Sequence, residues 1–550
     1  MDLLLAFILA MVLTMALIPP LMRRAGALHV LDDPGLRKVH DHPVPRVGGI
    51  AMAIGAAVPL LLWLELDQVA VAWLAGALVV LLFGIWDDRV TLAPDIKFAG
   101  QVLAALIVVF AGGVEIHSVT LAGRIELPAW VSLPLTLLFL VGVTNAINLS
   151  DGLDGLAGGT TFLCCAAIVM LSLGTGMTFV PTVAVVIMGC LLGFLRYNSY
   201  PARVFMGDGG SQFLGFTVGV VAIQLTQQET LPYSAALPLL LLGLPILDTL
   251  AVMAIRIRER RSPFSADRNH LHHRLLGLGF EQFEAVAVIY LLQAALFLLA
   301  WQLSYYSDGV ILAVFLGFAA VLLLLLLGAE RRGWRWRGPG ALRLRTERVS
   351  ELLLLLKQPR RMPRWTAIVA MGCTLVYFAA VALASDRISG DVAWLAVGLV
   401  TVLGLAVLQR SPEQGISALT QGALYVAVVI AVYLDHMALN WPQPLVIGKL
   451  VLFGLLTLAV VLRLRLSRER RFEVTPLDLL VIFVALALPN LPGLRGAPSN
   501  LGLSVAKLVV LFYALEMLAE HSARTRAWLR WGGIAFLGIL AVRGFVLAAG

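Results

Sequence analysis

The chain has 550 residues, a mean hydropathy of +0.91, a net charge of +8 and only 13% charged residues. A soluble protein of this length would divide into several domains and carry about twice that charged fraction, so the composition argues against a soluble protein. Apolar runs of about 17–22 residues recur along the whole chain, and each can cross a hydrocarbon layer of ~30 Å as a helix. The composition therefore predicts an all-α, polytopic integral membrane protein.

Taken in chain order, the apolar runs predict about 18 transmembrane helices, about 11 of them in residues 1–330 and about seven in residues 366–550. Residues 331–365 lie between these regions and are rich in Arg, with Trp334 and Trp336 interleaved, which is typical of an amphipathic segment at the membrane interface. The sequence thus predicts a first membrane domain, a basic cytosolic linker, and an additional transmembrane region with short loops.

The loops between the predicted spans differ strongly in charge. With the N-terminus outside, the predicted cytosolic loops hold 35 of the 41 Lys and Arg residues, and the predicted outer loops hold Arg124, Arg387 and Arg495. Positive charges stay in the cytosol when membrane helices insert, so this asymmetry predicts an outside N-terminus. The positive net charge then reflects topology and attraction to anionic lipid, and it does not indicate nucleic-acid binding.

Five dense polar clusters follow one another in the first region, and all of them fall in predicted cytosolic loops. In chain order they are LDDPGLRKVHDHPVPRVGG (31–49), GIWDDR (84–89), NAINLSDGLDGLAGG (145–159), RYNSYPARVFMGDGGSQ (196–212) and RSPFSADRNHLHHR (261–274). Charges this close to membrane spans are costly and tend to be functional. Five of their carboxylates are therefore expected to share one site: Asp87, Asp88, Asp151, Asp154 and Asp208.

Carboxylates converge only where positive charge compensates them, and Asp suits a hard cation such as Mg²⁺ that shares its shell with substrate phosphates. The His and Arg side chains of residues 256–274 can donate hydrogen bonds to phosphate oxygens. Glycines beside the acids let backbone N–H groups approach a phosphate, and Ser150 is a candidate N-cap for a helix carrying Asp151 and Asp154. The pattern predicts a diphosphate site with a bridging metal. Zinc is disfavoured, because the sequence has no HExxH motif and its cysteines lie in apolar runs.

Four motifs, GIWDDR, NAINLSDGLDGLAGG, VFMGDGGSQFLGF and SPFSADRNHLHH, together resemble those of the polyprenyl-phosphate N-acetylhexosamine-1-phosphate transferases. The resemblance covers about residues 1–330, and it implies a cytosolic active site in the bacterial plasma (inner) membrane that uses Mg²⁺, with Mn²⁺ as an alternative. The implied reaction transfers a HexNAc-1-phosphate, foremost GlcNAc-1-phosphate, from a UDP-sugar to undecaprenyl phosphate and releases UMP. Its product initiates a lipid-linked cell-surface glycan. Phosphate is already an adequate nucleophile, so direct attack on the β-phosphorus is favoured over a phospho-enzyme.

The resemblance also implies roles for individual residues at matching positions of the motifs. Asp208 is the implied Mg²⁺ ligand, with Asn148 assisting. Asp87 deprotonates or orients the lipid phosphate, and Asp88 is its partner beside the metal. The remaining implied roles are substrate contacts: Asp151 and Asp154 at the nucleotide and diphosphate, Asn198 and Phe205 at the uracil, Lys97 at the lipid phosphate, His270, His272 and His273 at the diphosphate, and Arg256 at the sugar or diphosphate.

Other interpretations stay open at this point. SPFSADRNHLHH is similar to the amino-sugar initiator branch, whereas the peptidoglycan branch has a PLHHH pattern that this chain lacks. A phospho-MurNAc-pentapeptide translocase-type activity is the alternative within the superfamily. A transporter or flippase is the alternative from another class, and it would place its acids at mid-span. Residues 366–550 lie beyond the common core and are a candidate docking region for a downstream glycan-assembly protein; a homodimer is a further candidate.

Overall fold

The structure is a computed structural model that describes residues 2–32, 43–121, 123–228, 231–262, 269–336, 364–385, 388–408, 418–437, 443–466 and 501–549. The described residues up to 336 form one compact unit, and those from 364 form a second. Most of the predicted linker, from residue 337 to residue 363, and the span predicted near residue 484 lie outside the described residues. The two units are described separately below.

The first unit is built from helices with two small antiparallel sheets. Its described helices are α1 (Asp2–Arg24), α2 (Gly48–Trp63), α3 (Gln68–Val90), α4 (Pro94–Gly112), α5 (Ala129–Leu149), α6 (Leu156–Ser172), α7 (Phe179–Asn198), α8 (Gly207–Thr226), α9 (Pro238–Leu241), α10 (Gly243–Arg258), α11 (Leu271–Gly277), α12 (Gln282–Leu303) and α13 (Asp308–Arg331). The sheets pair β1 (Leu31–Asp32) with β2 (Val44–Pro45), and β3 (Ser118–Thr120) with β4 (Arg124–Glu126).

Helix α8 is the central helix of the first unit, since it contacts α2, α3, α5, α6 and α7 and is buried along nearly its whole length. Small residues let membrane helices approach each other closely. A Cβ on Gly49 of α2 would meet the backbone of Gly210, and a Cβ on Gly84 of α3 would meet the backbone of Gly209. These glycines therefore bring α2 and α3 against the first turn of α8, where Asp208 lies.

Helix α3 ends just beyond its acidic pair, and the turn that follows sets up the site. Thr91 adopts a left-handed conformation with φ 50°, and its N–H donates to the Asp87 carbonyl oxygen at 2.9 Å. Pro94 then occupies the start of α4, where its missing N–H costs nothing. The short turn places Lys97, in the first turn of α4, opposite Asp87.

The second unit is also helical within the described residues. Its helices are α14 (Arg364–Ala384), α15 (Gly390–Leu408), α16 (Ala418–Met437), α17 (Gln443–Leu466), α18 (Leu501–His521) and α19 (Ala523–Ala549). Helix α16 contacts α14, α15, α18 and α19, and its residues 422–435 are buried.

The prediction of an all-α polytopic membrane protein is confirmed. Nine of the described helices are long and apolar enough to cross a membrane, and several shorter apolar helices accompany them. Large apolar side chains also lie on outward faces, as in Phe110 (71% exposed), Leu138 (72%) and Leu324 (68%), where a membrane protein meets lipid. The count of about 18 spans and the outside N-terminus stay predictions.

Candidate active site

Asp87 and Lys97 form an ion pair at the turn between α3 and α4. Asp87 is 2% exposed, and its Oδ1 accepts a hydrogen bond from the Leu92 N–H at 2.6 Å. The Lys97 Nζ also lies 3.5 Å from Oδ2 of Asp208, so one ammonium group stands between carboxylates of α3 and α8. The side chains of Lys97 and Asp208 are each 30% exposed, and they form the open side of this cluster.

Asp208 is fixed from a third direction by α5. Its Oδ1 accepts from the Asn148 Nδ2 at 2.6 Å, and the same nitrogen lies 2.7 Å from the Ser211 Oγ. Asn148 belongs to the last turn of α5, and Asp208 to the first turn of α8. Residues from three separate polar motifs therefore meet at Asp208.

Asp88 points away from Lys97 and caps the beginning of α8. Its Oδ1 accepts from the Asp208 N–H at 2.9 Å, and its Oδ2 accepts from the Gly209 N–H at 3.1 Å. The first N–H groups of a helix have no partner within the helix, so a carboxylate there satisfies them. Asp88 thus occupies the N–H groups of Asp208 and Gly209, and an approach of the other glycine N–H groups to a substrate phosphate stays a prediction.

Arg46 supports this cap, although no motif assigned it a role. Its Nη1 lies 3.6 Å from Oδ1 of Asp88, and its guanidinium pairs with Asp32. Arg46 follows β2, which pairs with the strand that contains Asp32. The small sheet before α2 therefore places a cation against the buried end of the acidic cluster.

The prediction that Ser150 begins a helix is wrong. Ser150 ends α5, and its Oγ donates to the Ala146 carbonyl oxygen at 2.8 Å. Helix α6 begins only at Leu156, so Asp151 and Asp154 lie in the turn between α5 and α6. Repeated Asp-Gly pairs favour turns, which explains why SDGLDG stays outside both helices.

Asp151 lies within the field of the other carboxylates. Burial, together with the negative charges of Asp208, Asp88 and Asp154, raises the pKa of Asp151 to about 7. Like charges disfavour ionisation in this way only when they are close together. The structure thus brings these four acids into one site, with Asp151 between its protonated and charged forms near neutral pH.

Asp154 and Asn198 clamp the acidic turn to the loop after α7. The Asp154 Oδ2 accepts from the Ala202 N–H at 2.8 Å. Asn198 is 3% exposed; its Oδ1 accepts from the Gly155 N–H at 2.9 Å, and its Nδ2 donates to the Val204 carbonyl oxygen at 2.8 Å. These bonds give Asp154 and Asn198 a positioning role, and their implied contacts with the nucleotide stay predictions.

Phe205 and Arg256 differ in solvent exposure. Phe205 is half-buried and held by its backbone, which bonds to Pro45 at 2.8 Å and to Gly48 at 2.9 Å. These bonds fix its backbone three residues before Asp208. Arg256 lies in the last turn of α10 and is 4% exposed. The uracil contact of Phe205 and the sugar or diphosphate contact of Arg256 stay predictions.

The histidine motif is held by Asp248, an acid that lies outside the motifs. The His270 Nδ1 lies 2.8 Å from Oδ2 of Asp248, and the Leu271 N–H donates to Oδ1 at 2.6 Å. A partner on one ring nitrogen fixes the tautomer and orientation of a histidine. The sequence did contain a signal for Asp248, because a lone acid inside the apolar run GLPILDTL is costly unless it is paired or functional.

The His272 ring stacks on that of His270 and lies tilted, at 44°, against that of His273. The His272 ring lies 5.7 Å from that of His270 and 4.3 Å from that of His273, between centroids. Burial lowers the pKa of His272 to about 3, and His273 contributes to the shift, so His272 is neutral at physiological pH. Its Nε2 has no hydrogen-bond partner within the described part of the chain and faces Gly152, where a Cβ would meet it. His273 is half-buried, so it is the more open of the two toward a substrate.

Tyr290 of α12 also holds the acidic turn and was not found from the sequence. Its hydroxyl donates to the Gly155 carbonyl oxygen at 2.6 Å, and a Cβ on Gly159 would overlap its ring. Within the apolar run VIYLLQ, a tyrosine cannot be distinguished from an ordinary core residue.

The chemistry of the site fits a hard divalent cation. In the part of the chain that the structure describes, the acids Asp87, Asp88, Asp151 and Asp208 outnumber the cations Lys97 and Arg46 that pair with them. Carboxylate and amide oxygens are ligands that Mg²⁺ prefers, and Asp208 with Asn148 offers both groups. Among the described residues, no three His, Cys, Asp or Glu side chains converge as a ligand group. Mg²⁺ in proteins usually keeps several waters and shares its shell with substrate phosphates.

The fold and the site together define a polytopic integral-membrane transferase with an acidic centre formed at the ends of its helices. The profile of the family described as Glycosyl transferase family 4 matches residues 70–226, a range that contains Asp87, Lys97, Asn148 and Asp208. The chain belongs to this family.

Several curated proteins are similar to it over most of their own length. A probable undecaprenyl-phosphate N-acetylglucosaminyl 1-phosphate transferase of Bacillus subtilis is 37% identical over 293 residues, which cover 52% of this chain and 81% of that protein. A decaprenyl-phosphate N-acetylglucosaminephosphotransferase of Mycolicibacterium smegmatis is 37% identical over 290 residues, 47% of this chain and 71% of that protein. The undecaprenyl-phosphate alpha-N-acetylglucosaminyl 1-phosphate transferase of Escherichia coli is 31% identical over 301 residues, 53% of this chain and 82% of that protein. The resemblance to this branch of the superfamily is confirmed.

Proposed function

We propose that this chain transfers N-acetylglucosamine-1-phosphate from UDP-N-acetylglucosamine to undecaprenyl phosphate at the cytosolic face of the bacterial plasma membrane, with release of UMP. The observation that carries the proposal is the cluster at Asp87, Lys97 and Asp208, where an ammonium group stands between two carboxylates on the open side of the site. The relatives' names support the choice of sugar and of lipid. The product would initiate a lipid-linked cell-surface glycan.

Lys97 is suited to receive the lipid phosphate, because its ammonium is partly exposed and contacts the carboxylates of both Asp87 and Asp208. A phosphate that binds the Lys97 ammonium competes with Asp87 for it. The Asp87 carboxylate is buried and braced by the Leu92 N–H, so it keeps its place beside the phosphate and can orient it or accept its proton. Positioning of this kind supplies much of the rate enhancement in phosphoryl transfer.

The reaction forms a bond between an oxygen of the lipid phosphate and the β-phosphorus of the UDP-sugar. The bond from the β-phosphorus to the bridging oxygen breaks, and its electron pair leaves with UMP. Mg²⁺, which Asp208 and Asn148 would hold, supplies neutralisation of the charge on the diphosphate when it is bound. Asp88 keeps Asp208 in place by capping α8.

The histidine motif closes the side of the site next to the acidic turn. Asp248 fixes His270, and His272 faces Gly152 as a neutral ring, so neither provides a mobile positive charge. His273 is the member of the motif that we assign to the diphosphate, through a hydrogen bond to a phosphate oxygen.

The test uses the full-length chain in detergent with undecaprenyl phosphate, Mg²⁺ and a panel of UDP-sugars, and it measures UMP release. We expect turnover with UDP-N-acetylglucosamine, little with UDP-MurNAc-pentapeptide, and loss of turnover when the metal is chelated. Lys97→Met should lower turnover by about 10²-fold, since it removes a charge at the reacting phosphate. Arg124→Met is the matched control, because it removes an exposed cation that pairs with Glu126 at 3.1 Å. A folded preparation that released no UMP from any UDP-HexNAc would refute the proposal.

A further inference from the structure

A network of three amide side chains joins α4, α5 and α8 one helical turn below the acidic centre. The Gln101 Nε2 of α4 donates to the Asn145 Oδ1 of α5 at 3.3 Å and to the Gln212 Oε1 of α8 at 3.1 Å. The Asn145 Nδ2 donates in return to the Gln101 Oε1 at 2.6 Å. Gln101 and Gln212 are buried, with 4% and 2% of their surface exposed. Amides are costly inside a membrane protein unless they are hydrogen-bonded, so their presence here calls for a role.

Each amide shares a helix face with a residue of the acidic centre, three or four positions away. The pairs are Gln101 with Lys97 on α4, Asn145 with Asn148 on α5, and Gln212 with Asp208 on α8. Residues at these spacings are neighbours on a helix surface, with about 5–6 Å between their Cβ atoms. The amides therefore form a layer directly beneath the acidic centre, and a rotation of one helix displaces its members of both layers together.

Helix α4 depends on such a layer more than its neighbours do. It contacts α3 and α5 on one side and exposes the apolar side chains of Phe98, Leu103 and Phe110 on the other. Lipid tails are as apolar as these side chains, so contact with lipid does not fix the rotation of a membrane helix, whereas hydrogen bonds between helices do. The bonds of Gln101 therefore fix how α4 is rotated, and that rotation decides where Lys97 points.

We propose that Gln101, Asn145 and Gln212 are positioning residues that hold Lys97 at the acidic centre. Gln101 acts through Lys97, because its hydrogen bonds fix α4 against α5 and α8. The kinetic test of this inference rests on the proposed function, in which Lys97 receives the lipid phosphate. The placement of Lys97 is also measured without turnover, so that the two proposals can fail separately.

Gln101→Met tests the inference by the steady-state kinetics of UMP release from the full-length chain in detergent. Methionine has nearly the length of glutamine but makes no hydrogen bonds to Asn145 or Gln212. We expect the KM for undecaprenyl phosphate to rise about tenfold, because a displaced Lys97 holds the lipid phosphate poorly. The KM for UDP-N-acetylglucosamine should change by less than about twofold. An unchanged KM for the lipid, or an equal rise in both KM values, would overturn the inference.

Gln227→Met is the matched control, at the opposite end of α8. The Gln227 Oε1 accepts from the N–H groups of His117 and Ser118, both at 3.1 Å, and its Nε2 donates to the Ser118 carbonyl oxygen at 3.2 Å. The control thus removes the hydrogen bonds of another buried glutamine. It should lower the melting temperature but leave the KM for undecaprenyl phosphate unchanged. A similar rise of this KM in both variants would show that lost stability alone causes it.

The double variant K97M/Q101M tests whether Gln101 acts through Lys97. If it does, Gln101→Met has nothing left to displace once Lys97 is gone. The KM for undecaprenyl phosphate should then equal that of K97M within about twofold. A further rise of about tenfold would show that Gln101 affects the lipid by another route, against the inference.

Acetylation of Lys97 by acetic anhydride, followed by peptide mass spectrometry, measures its placement without turnover. The Lys97 ammonium contacts two carboxylates, so it should react slowly in the wild type. It should react at least about threefold faster in Q101M and at the wild-type rate in Q227M. Equal rates in Q101M and wild type would overturn the inference even if the wild type turns over. Faster reaction in Q101M together with no UMP release by the wild type would refute the proposed function alone.

Gln101→Asn takes the place of Gln101→Met in both measurements if the methionine variant does not fold. Asparagine keeps an amide but is one methylene shorter, so it cannot reach Asn145 and Gln212 together. We expect the same direction of change in the KM for the lipid and in the acetylation rate of Lys97. Wild-type values of both would overturn the inference.

Discussion

Asp88→Asn tests whether Asp88 acts by positioning α8 or by touching the metal. The carboxylate uses both oxygens on backbone N–H groups, at 2.9 Å from the Asp208 nitrogen and 3.1 Å from the Gly209 nitrogen. Asn has one acceptor oxygen, so the variant leaves one of the two α8 N–H groups without its acceptor. Burial and the charge of Asp208 raise the pKa of Asp88 to about 7, so removal of the charge adds no further loss, and the free energy of unfolding should fall by about 1–3 kcal/mol.

The assay combines thermal unfolding with UMP release measured over a range of Mg²⁺ concentrations. If Asp88 positions α8, the variant should melt at a lower temperature and turn over more slowly, while the Mg²⁺ concentration for half-maximal activity changes little. Loss of a metal ligand would instead raise that concentration by about tenfold or more. A variant with unchanged melting temperature and a strongly raised Mg²⁺ requirement would refute the capping role.

Asp67→Asn is the matched control for this experiment. Asp67 caps α3, and its Oδ1 accepts from the Ala70 N–H at 2.7 Å, but it uses one oxygen and lies exposed. Asn and Asp are equally good caps in that geometry, so the expected change is well below about 1 kcal/mol. Equal loss of stability in the two variants would show that the paired bonds of Asp88 contribute nothing specific.

Three further variants test the surroundings of the site. Tyr290→Phe removes the 2.6 Å hydrogen bond to the Gly155 carbonyl oxygen, so it should lower the free energy of unfolding by about 1–3 kcal/mol. A melting temperature equal to that of the wild type would contradict this prediction. Asp151→Asn should raise the melting temperature in the absence of Mg²⁺, because the pKa of Asp151 is about 7 in the fold against an ordinary 3.8. The gain in the free energy of unfolding should grow between about pH 4 and pH 7, reach at most about 4 kcal/mol and stay constant above pH 7. A gain that shrinks as the pH rises would show that the fold stabilises Asp151 as a carboxylate. Gly84→Ala places a Cβ against the Gly209 Cα and 2.7 Å from the Asp208 carbonyl oxygen, so it should reduce turnover sharply. Gly142→Ala, with open space around the added Cβ, should be neutral or stabilise by up to about 1 kcal/mol, and equal losses of turnover in the two alanine variants would refute this reasoning.

The meeting of Asp87, Asn148 and Asp208 could be anticipated from the sequence because each ends or begins an apolar run on the same predicted membrane face. The charge asymmetry of the loops assigns these ends to one side, and residues at one face of a helical bundle lie within reach of each other. The separate directions of Asp87 and Asp88 could not be anticipated. Consecutive residues on a helix point about 100° apart, so only the packing of α3 against α8 decides which acid meets Lys97.

The contacts made by distant helices were also beyond sequence reasoning, although a lone acid in an apolar run, such as Asp248, indicates pairing or function. Asp248 and Tyr290 lie in apolar runs, and their roles depend on α10 and α12 packing beside the acidic turn. Ser150 was misjudged for a local reason, since a serine before Asp-Gly can end one helix as well as begin another. The two bonds from Asn198 then hold the turn in place without a helix.

The acidic centre stabilises the fold and prepares the reaction with the same side chains. Both oxygens of Asp88 accept hydrogen bonds from the first turn of α8, and one oxygen of Asp154 accepts a hydrogen bond from the loop after α7. These bonds hold both side chains in place when a substrate binds. Asp87 and Asp208, by contrast, share the half-exposed Lys97, and an incoming phosphate can exchange places with one of them. A site built this way needs little rearrangement when the diphosphate arrives, because the residues that must stay rigid are already bound to backbone. Substitutions at the capping acids should therefore lower both stability and turnover, whereas substitutions at Lys97 should lower turnover and change its response to the lipid phosphate.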